Sequence, residues 1–217
     1  MARRAFRLLG GGWPRAALVL IGIVVAATAY AASLSPAQRV VEQVSEGLMR
    51  VLREDRHLLE TDPAYVHRLV DELFLPNIDF DRVSALILGR YWRDSTPRQR
   101  RAFQRAFKDM LINTYAHAMN SLSDWEIRYL PSRPGPDVRR VTVRTEILYG
   151  GRKPIPVDYR MVYEDARWLA YDVSVDGISL LTTFRSIFTG IARERGLDGL
   201  IRELERRNGT LLGVESR

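Results

Sequence analysis

The hydrophobic period of the chain changes near residue 124 and changes back near residue 182. Up to about residue 121, apolar residues recur every three or four positions, which is the spacing of amphipathic helices. Between residues 124 and 176 they alternate with polar residues, as they do in strands that bury one face. The pattern therefore predicts helices over 35–121, strands over 124–176 and helices over 182–207.

Capping signals indicate where several of these helices begin. The segments Ser35–Gln38 and Thr96–Gln99 each have the pattern of a capping box, with Pro at the first helical position. Asp62 precedes a second helix, and Asp79 precedes a third, short helix that Gly89 ends. We expect the helix after Thr96 to be the longest.

Four strands are predicted, joined by short turns. In the fourth, the alternation separates Leu169, Tyr171, Val173 and Val175 from Ala170, Asp172, Ser174 and Asp176. Short connections favour antiparallel pairing. We therefore expect an α+β fold, in which a curved antiparallel four-stranded sheet is covered by amphipathic helices and carries an N-terminal helical subdomain. Such a fold encloses a core, or a cavity where that core is incompletely filled.

Residues 1–31 have the three parts of a cleavable signal peptide. Four arginines and no acidic residue precede the apolar run from Ala16 to Ala29, which is shorter than the about 20 residues that span a bilayer. Ala29-Tyr30-Ala31 has the pattern of a cleavage site. We expect an exported protein whose residues 32–217 form a single α+β domain. The alternative is an uncleaved N-terminal anchor.

The net charge of +7 overstates how basic the exported part is. Four of these charges belong to the arginines of the signal segment, which leaves about +3 for the remainder. Export argues against nucleic acid as a partner. A mildly basic surface suits anionic lipid head groups as well as acidic proteins, but the charge alone favours a mixed, solvated surface over either partner. The chain has no Cys, so it must fold without disulfides.

The sequence lacks the signatures of an active site or a metal centre. The spacings of His57, His67 and His117 match no metal motif, and there is neither a Gly-x-Ser-x-Gly motif nor a phosphate-binding glycine loop. Alternation places Asp158 and Asp172 on the solvent face of the sheet. We therefore expect no enzymatic activity, no metal and no cofactor.

The inward-facing residues of the strands are aliphatic and aromatic. Such a set suits an apolar ligand better than a polar one, but composition alone favours a filled core that needs no ligand. Tyr159 and Tyr171 also face inward, where a phenol can serve as an acid–base group or as part of the core. The residues alone leave these alternatives open.

Several motifs, taken in order, resemble one family. They are Leu88–Arg93 with Thr96–Phe103, Leu111-x-x-Thr114-Tyr115, Pro156–Arg160, Trp168–Leu180 and Phe184–Ser186. The chain resembles the MlaC, or toluene-tolerance, family of periplasmic phospholipid carriers in the maintenance-of-lipid-asymmetry pathway. The resemblance extends from about residue 35 to residue 205. It departs at Phe184, where a tyrosine is expected, and at Asp165–Arg167, a turn that lacks the expected glycine.

The resemblance implies an NTF2-like domain with a cavity for phospholipid acyl chains. It further implies shuttling between an outer-membrane lipoprotein–porin complex and an inner-membrane ABC transporter complex with a lipid-binding subunit. With strand parity and helix position, it predicts these lipid-binding residues: Phe107, Leu111, Tyr115, Val143, Val157, Tyr159, Met161, Tyr171, Val173, Phe184 and Phe188, with Arg185 at the head group. The alternatives are an NTF2-like enzyme acting on a small apolar substrate and an envelope adaptor with a solid core.

Overall fold

Helices occupy both ends of the described chain and a sheet occupies its middle. The computed structural model describes residues 34–120, 125–131 and 139–211, so the predicted signal segment lies outside the described residues. The helices are α1 (Pro36–Glu54), α2 (Arg56–Thr61), α3 (Pro63–Leu69), α4 (Phe80–Leu88), α5 (Arg90–Arg93), α6 (Pro97–Asn120) and α7 (Leu180–Leu211). Within the described ranges, no helix has both the length and the apolarity needed to cross a membrane.

The sheet has five antiparallel strands in the order of the sequence. They are β1 (Trp125–Tyr129), β2 (Arg140–Tyr149), β3 (Ile155–Glu164), β4 (Arg167–Val175) and β5 (Ile178–Ser179). The α+β class and the antiparallel pairing are confirmed, but the prediction of four strands is wrong. The additional strand, β5, has only two residues, and it pairs with the end of β4 because the chain reverses at Gly177, whose φ is 80°.

The predicted helix starts are confirmed by hydrogen bonds. The Ser35 hydroxyl accepts from the Gln38 backbone N–H, and the Gln38 side chain accepts from the Ser35 N–H, which completes the capping box. Thr96 and Gln99 form the same pair of bonds before α6. The Asp79 carboxylate accepts from the Arg82 backbone N–H at the start of α4.

The second predicted helix is less regular than its hydrophobic spacing indicates. A separate short helix, α2, precedes it, and α3 ends at Leu69. A π-helical turn over Val70–Phe74 and a 3₁₀ turn over Leu75–Asn77 follow. Pro76 lacks the N–H that an α-helical ladder requires, so the chain leaves the helix there.

A β-bulge in β4 overturns the prediction of one uniform apolar face. Tyr159 pairs with Val173 and Arg160 with Asp172, but Met161 pairs with Ala170, so Tyr171 is the extra residue. The bulge changes the faces of Ala170 and Leu169 and not that of Asp172. Asp172 is buried because the start of α7 covers it, where the Ser179 hydroxyl and the Leu181 N–H donate to its carboxylate. The prediction that it is a surface carboxylate is therefore wrong.

The core consists of three clusters of buried side chains. One lies between α4, α6 and α7 and contains Phe103, Phe107, Phe188, Leu200 and Leu204. The second joins α1, α2 and α3 to α6 and β1, and the third packs α1 against β2 and β3. Because α6 contributes to the first two clusters, its apolar face lies between them.

Helix α7 is broken at one residue. Gly196 has φ 70° and ψ 175°, outside the helical region, so two helical segments meet there. A residue with a Cβ atom is strained at this positive φ, whereas glycine is not. The segment before the break begins beside β5, and the segment after it carries Leu200 and Leu204 into the first core cluster.

Candidate functional site

An apolar cavity opens between the helices and strand β4. Its volume is about 350 Å³, near the lower end of the range for small-molecule sites. The wall consists of Val66, Val70, Phe74, Leu75, Ile78, Phe80, Val83, Ile87, Phe107, Lys108, Leu111, Ile112, Tyr115, Ala170, Tyr171, Asp172, Val173, Leu180, Leu181 and Phe184. Among these described residues only Lys108 and Asp172 carry a charge. The site is therefore suited to an apolar ligand.

Six of the predicted lipid-binding residues line this cavity. They are Phe107, Leu111, Tyr115, Tyr171, Val173 and Phe184. Helix α6 places Phe107, Leu111 and Tyr115 on one wall, because residues four positions apart lie on the same helical face. Strand β4 and the first turns of α7 provide the other three from the opposite wall. Sequence-distant residues are thus gathered around one apolar space.

The other six predicted residues lie elsewhere. Val143 and Met161 are buried in the cluster between α1 and the sheet, and Tyr159 packs against that cluster. Val157 is buried in β3, and Phe188 belongs to the cluster between α4, α6 and α7. Arg185 is exposed in the second turn of α7. The structure thus divides the predicted set between the cavity wall, the filled core and the surface.

Asp172 holds the start of α7 against the sheet. Its fully buried carboxylate accepts hydrogen bonds from the Ser179 hydroxyl at 2.8 Å and from the Leu181 backbone N–H at 3.1 Å. The Ser179 Oγ in turn accepts from the Thr182 backbone N–H at 3.1 Å. The backbone N–H groups of Leu181 and Thr182 at the start of α7 are therefore already capped and are not free to bind an anion.

Arg160 covers the outer side of the same carboxylate. Its guanidinium lies 3.6 Å from an Asp172 oxygen and 5.1 Å from the centre of the Tyr171 ring. Because Arg160 is half-exposed, this ion pair connects the fully buried Asp172 carboxylate to the protein surface. These contacts form a structural network at one side of the cavity wall, in which Asp172 is joined to Ser179, Leu181 and Arg160.

Tyr159 is unsuited to act as a base. Burial raises the pKa of the Tyr159 phenol above its ordinary value, although a hydrogen bond with Thr145 lowers it in part. The phenol therefore keeps its proton at neutral pH. The enzyme alternative also needs a free carboxylate beside it, and the Asp172 carboxylate is occupied by the network at the start of α7.

The residues that sequence reasoning missed come mainly from α3, the π-helical turn and α4. They include Val66, Val70, Phe74, Val83 and Ile87, together with Leu180 and Leu181 at the start of α7. Their helical spacing was visible in the sequence, but the same spacing is typical of a filled core. In the sequence, only the nearby Pro76 indicated that the helix becomes irregular at Val70–Phe74.

A second depression on the described part of the chain differs from this cavity in its polarity. A wider depression beside α4 and the β3–β4 turn contains many charges, of which Arg82 is paired with both Asp79 and Glu164. Within residues 34–120, 125–131 and 139–211, no group of three or more His, Cys, Asp or Glu side chains is placed to hold a metal ion. The apolar cavity is the candidate functional site.

Known proteins are similar to this chain in both sequence and fold. The family model for the MlaC protein matches residues 42–206. The intermembrane phospholipid transport system binding protein MlaC of Haemophilus influenzae is 25% identical over 190 residues, which cover 86% of this chain and 88% of that protein. The toluene tolerance protein ttg2D of Pseudomonas putida is 25% identical over 160 residues, covering 73% of this chain and 74% of that protein.

A solved structure is similar to this chain in fold. It is the phospholipid-binding protein from Ralstonia solanacearum in complex with a phospholipid, with a TM-score of 0.76 and 30% sequence identity. The match covers 82% of this chain and 99% of that chain. Motifs, family model and fold agree over most of the described residues, so the chain belongs to the MlaC protein family.

Proposed function

We propose that this protein is a phospholipid carrier that holds acyl chains in the cavity between α6, α7 and β4 and moves lipid between membranes. The observation that supports this proposal is the composition of the wall, where eighteen of the twenty described residues are uncharged. The volume of about 350 Å³ lies within the range of small-molecule sites, and the apolar wall suits acyl tails and not a charged head group. In this proposal the sheet and its helices form an NTF2-like domain.

The energetics of lipid transfer explain why an apolar cavity is sufficient. Each methylene exposed to water costs about 0.8 kcal/mol, so the roughly 30 methylenes of two acyl chains cost about 25 kcal/mol. A carrier lowers that cost by replacing water with apolar contacts, and it needs no reactive group. Release to a membrane requires the free energies of lipid in the cavity and in the bilayer to be similar.

The alternatives have less support. As a member of the MlaC family the chain is a binding and transport protein and not an enzyme. An envelope adaptor with a solid core does not need the open apolar space beside β4. The related Haemophilus influenzae protein is named as part of an intermembrane phospholipid transport system. By this similarity, the proposed partners are an outer-membrane lipoprotein–porin complex and an inner-membrane ABC transporter complex with a lipid-binding subunit.

A charged residue placed in the cavity wall is expected to empty it. Leu111 lies in the wall on α6, so Leu111→Asp puts an unpaired carboxylate among apolar groups, where an acyl chain cannot solvate it. We expect native mass spectrometry to find phospholipid on the purified wild-type protein and at least tenfold less on the variant. Circular dichroism must show that the variant is folded.

Thr114→Asp is the matched control, because it places the same charge on an exposed position of the same helix. We expect this control to carry as much lipid as the wild type. A folded Leu111→Asp protein with a full complement of lipid would move the binding site away from the cavity. A wild-type protein that neither carries nor takes up phospholipid would refute the carrier function itself.

The proposed location is the periplasm, reached through cleavage of the segment 1–31. The arginine-rich start, the short apolar run and the Ala29-Tyr30-Ala31 pattern support this proposal. We expect intact-mass measurement of the protein from the periplasmic fraction to give a chain that begins at or near Ala32. Membrane-bound protein that retains Met1 would instead support the uncleaved anchor.

A further inference from the structure

Lys108 is the single cation among the described residues of the cavity wall. The chain has 33 basic residues, of which only Lys108 and Lys153 are lysines. The Lys108 side chain is 23% exposed, so it belongs both to the wall and to the opening. A lysine at this place gives the opening a compact positive charge on a flexible stem.

The neighbours of Lys108 on α6 place it directly beside the apolar interior. Leu111, Ile112 and Tyr115 follow at spacings of three, four and seven residues, so all four side chains lie on one helical face. Each of them lines the cavity, and Tyr115 is also exposed. A phosphate bound at Lys108 therefore has Leu111 and Ile112 one helical turn away, where they can contact the attached tails.

The ammonium group of Lys108 is held by one partner from the π-helical turn. Its Nζ lies 2.8 Å from an Asp71 carboxylate oxygen, and the Asp71 side chain is 48% exposed. Val70 and Phe74 of the same turn line the cavity. π-Helical turns are rare and occur frequently at functional sites. Here the turn combines two apolar wall residues with the carboxylate that positions the lysine.

The other charged group in the wall has no capacity for a phosphate. The Asp172 carboxylate is negative, and its oxygens already accept from Ser179 and Leu181. The backbone N–H groups of Leu181 and Thr182 are capped in the same network. Among the described residues that line the cavity, Lys108 is therefore the group that attracts an anion.

We propose that Lys108 recognises the phosphate of the bound phospholipid and that Asp71 occupies the ammonium group only while the cavity is empty. This inference rests on the proposed carrier function. An ammonium group has three N–H donors, so a phosphate oxygen can bind as the Asp71 contact loosens. Because the Asp71 carboxylate is half-exposed, its ion pair with Lys108 contributes little free energy, and the exchange of one anion for the other costs little.

Lys108→Gln tests the proposal, with Lys153→Gln as the matched control. Lys153 is exposed in the β2–β3 turn and does not line the cavity. Delipidated mature protein is titrated calorimetrically with dihexanoyl phosphatidylglycerol and with dihexanoylglycerol, which has the same tails and no phosphate. We expect Lys108→Gln to bind the phosphate lipid about three- to tenfold more weakly and the neutral lipid unchanged. We expect Lys153→Gln to match the wild type with both.

Asp71→Asn tests the role of the carboxylate. It removes the competing charge while keeping the shape of the side chain, so we expect about two- to fivefold tighter binding of the phosphate lipid only. A change of equal size with both lipids would overturn the exchange of anions, because it would report on the shape of the cavity.

Labelling of the amine gives a readout that does not depend on affinity. In the Lys153→Gln protein, reductive ¹³C-methylation leaves Lys108 as the one labelled side-chain amine and preserves its charge. We expect its resonance to shift with dihexanoyl phosphatidylglycerol and not with dihexanoylglycerol.

The outcomes separate the two proposals. If the wild type binds neither lipid, the carrier function fails. If it binds both and Lys108→Gln weakens neither, the function stands and the phosphate assignment is overturned. An equal resonance shift with both lipids would also overturn it, because that shift reports the tails and not the phosphate.

Discussion

Replacing Phe107 with alanine is expected to lower the free energy of unfolding by about 3–5 kcal/mol. The Phe107 side chain is 1% exposed, and its ring centre lies 5.2 to 5.6 Å from those of Phe80, Phe103, Phe184 and Phe188. Removal of the ring leaves four partners facing a void that rigid helices cannot fully close. The loss is measured by urea unfolding of delipidated protein.

Phe74→Ala provides the comparison for this experiment. Phe74 also lines the cavity, but it is only half-buried, so the same truncation is expected to cost about 1–2 kcal/mol. Since Phe107 forms part of the wall as well, its loss enlarges the apolar space, and the folded variant should still carry lipid. A change in unfolding free energy below about 1 kcal/mol for Phe107→Ala would contradict the central position assigned to this ring.

Replacing Asp172 with alanine is expected to cost about 2–4 kcal/mol. The substitution leaves the Ser179 hydroxyl and the Leu181 N–H without their acceptor and removes the charge beside Arg160. The expected loss is below that of a fully buried ion pair, because Arg160 is half-exposed and can turn to water. Since Leu181 and Phe184 line the cavity, the variant should also exchange lipid faster.

Asp158→Ala is a suitable control because Asp158 pairs with Ser174 in the same two strands and is less buried. We expect it to change the unfolding free energy by less than about 1 kcal/mol. Asp172→Asn keeps one acceptor oxygen, so it should fall between the wild type and Asp172→Ala. Equal stability of Asp172→Ala and Asp158→Ala would show that the start of α7 is held by apolar packing alone.

Features that depend on a few neighbouring residues were predictable from the sequence. The capping boxes at Ser35 and Thr96 require only side chains three positions apart, and each hydrogen bond is present. The alternation in β2 likewise matches its burial, with Val143 and Thr145 buried and Arg144 exposed. The family was recognisable because several such local patterns follow one another in a fixed order.

Features that depend on tertiary packing were not predictable in this way. Val143 and Val173 are the same residue type on predicted inward positions, but Val143 contacts α1 and Val173 faces the cavity. Their difference arises from which helix covers each strand, and no local pattern contains that information. The bulge at Tyr171 could not be predicted either, because the residues of β4 alternate in the same way whether or not the strand contains an extra residue.

Because of the break at Gly196, the directions in which side chains point after it do not depend on the number of helical residues before it. In an uninterrupted α-helix, one inserted residue turns everything after it by about 100°, since there are 3.6 residues per turn. Leu200 and Leu204 lie beyond the glycine, in a hydrogen-bond ladder that starts anew there. A residue inserted directly beside Gly196 can therefore be absorbed at the joint, so that Phe188 before it and Leu200 and Leu204 after it keep their places in the first core cluster.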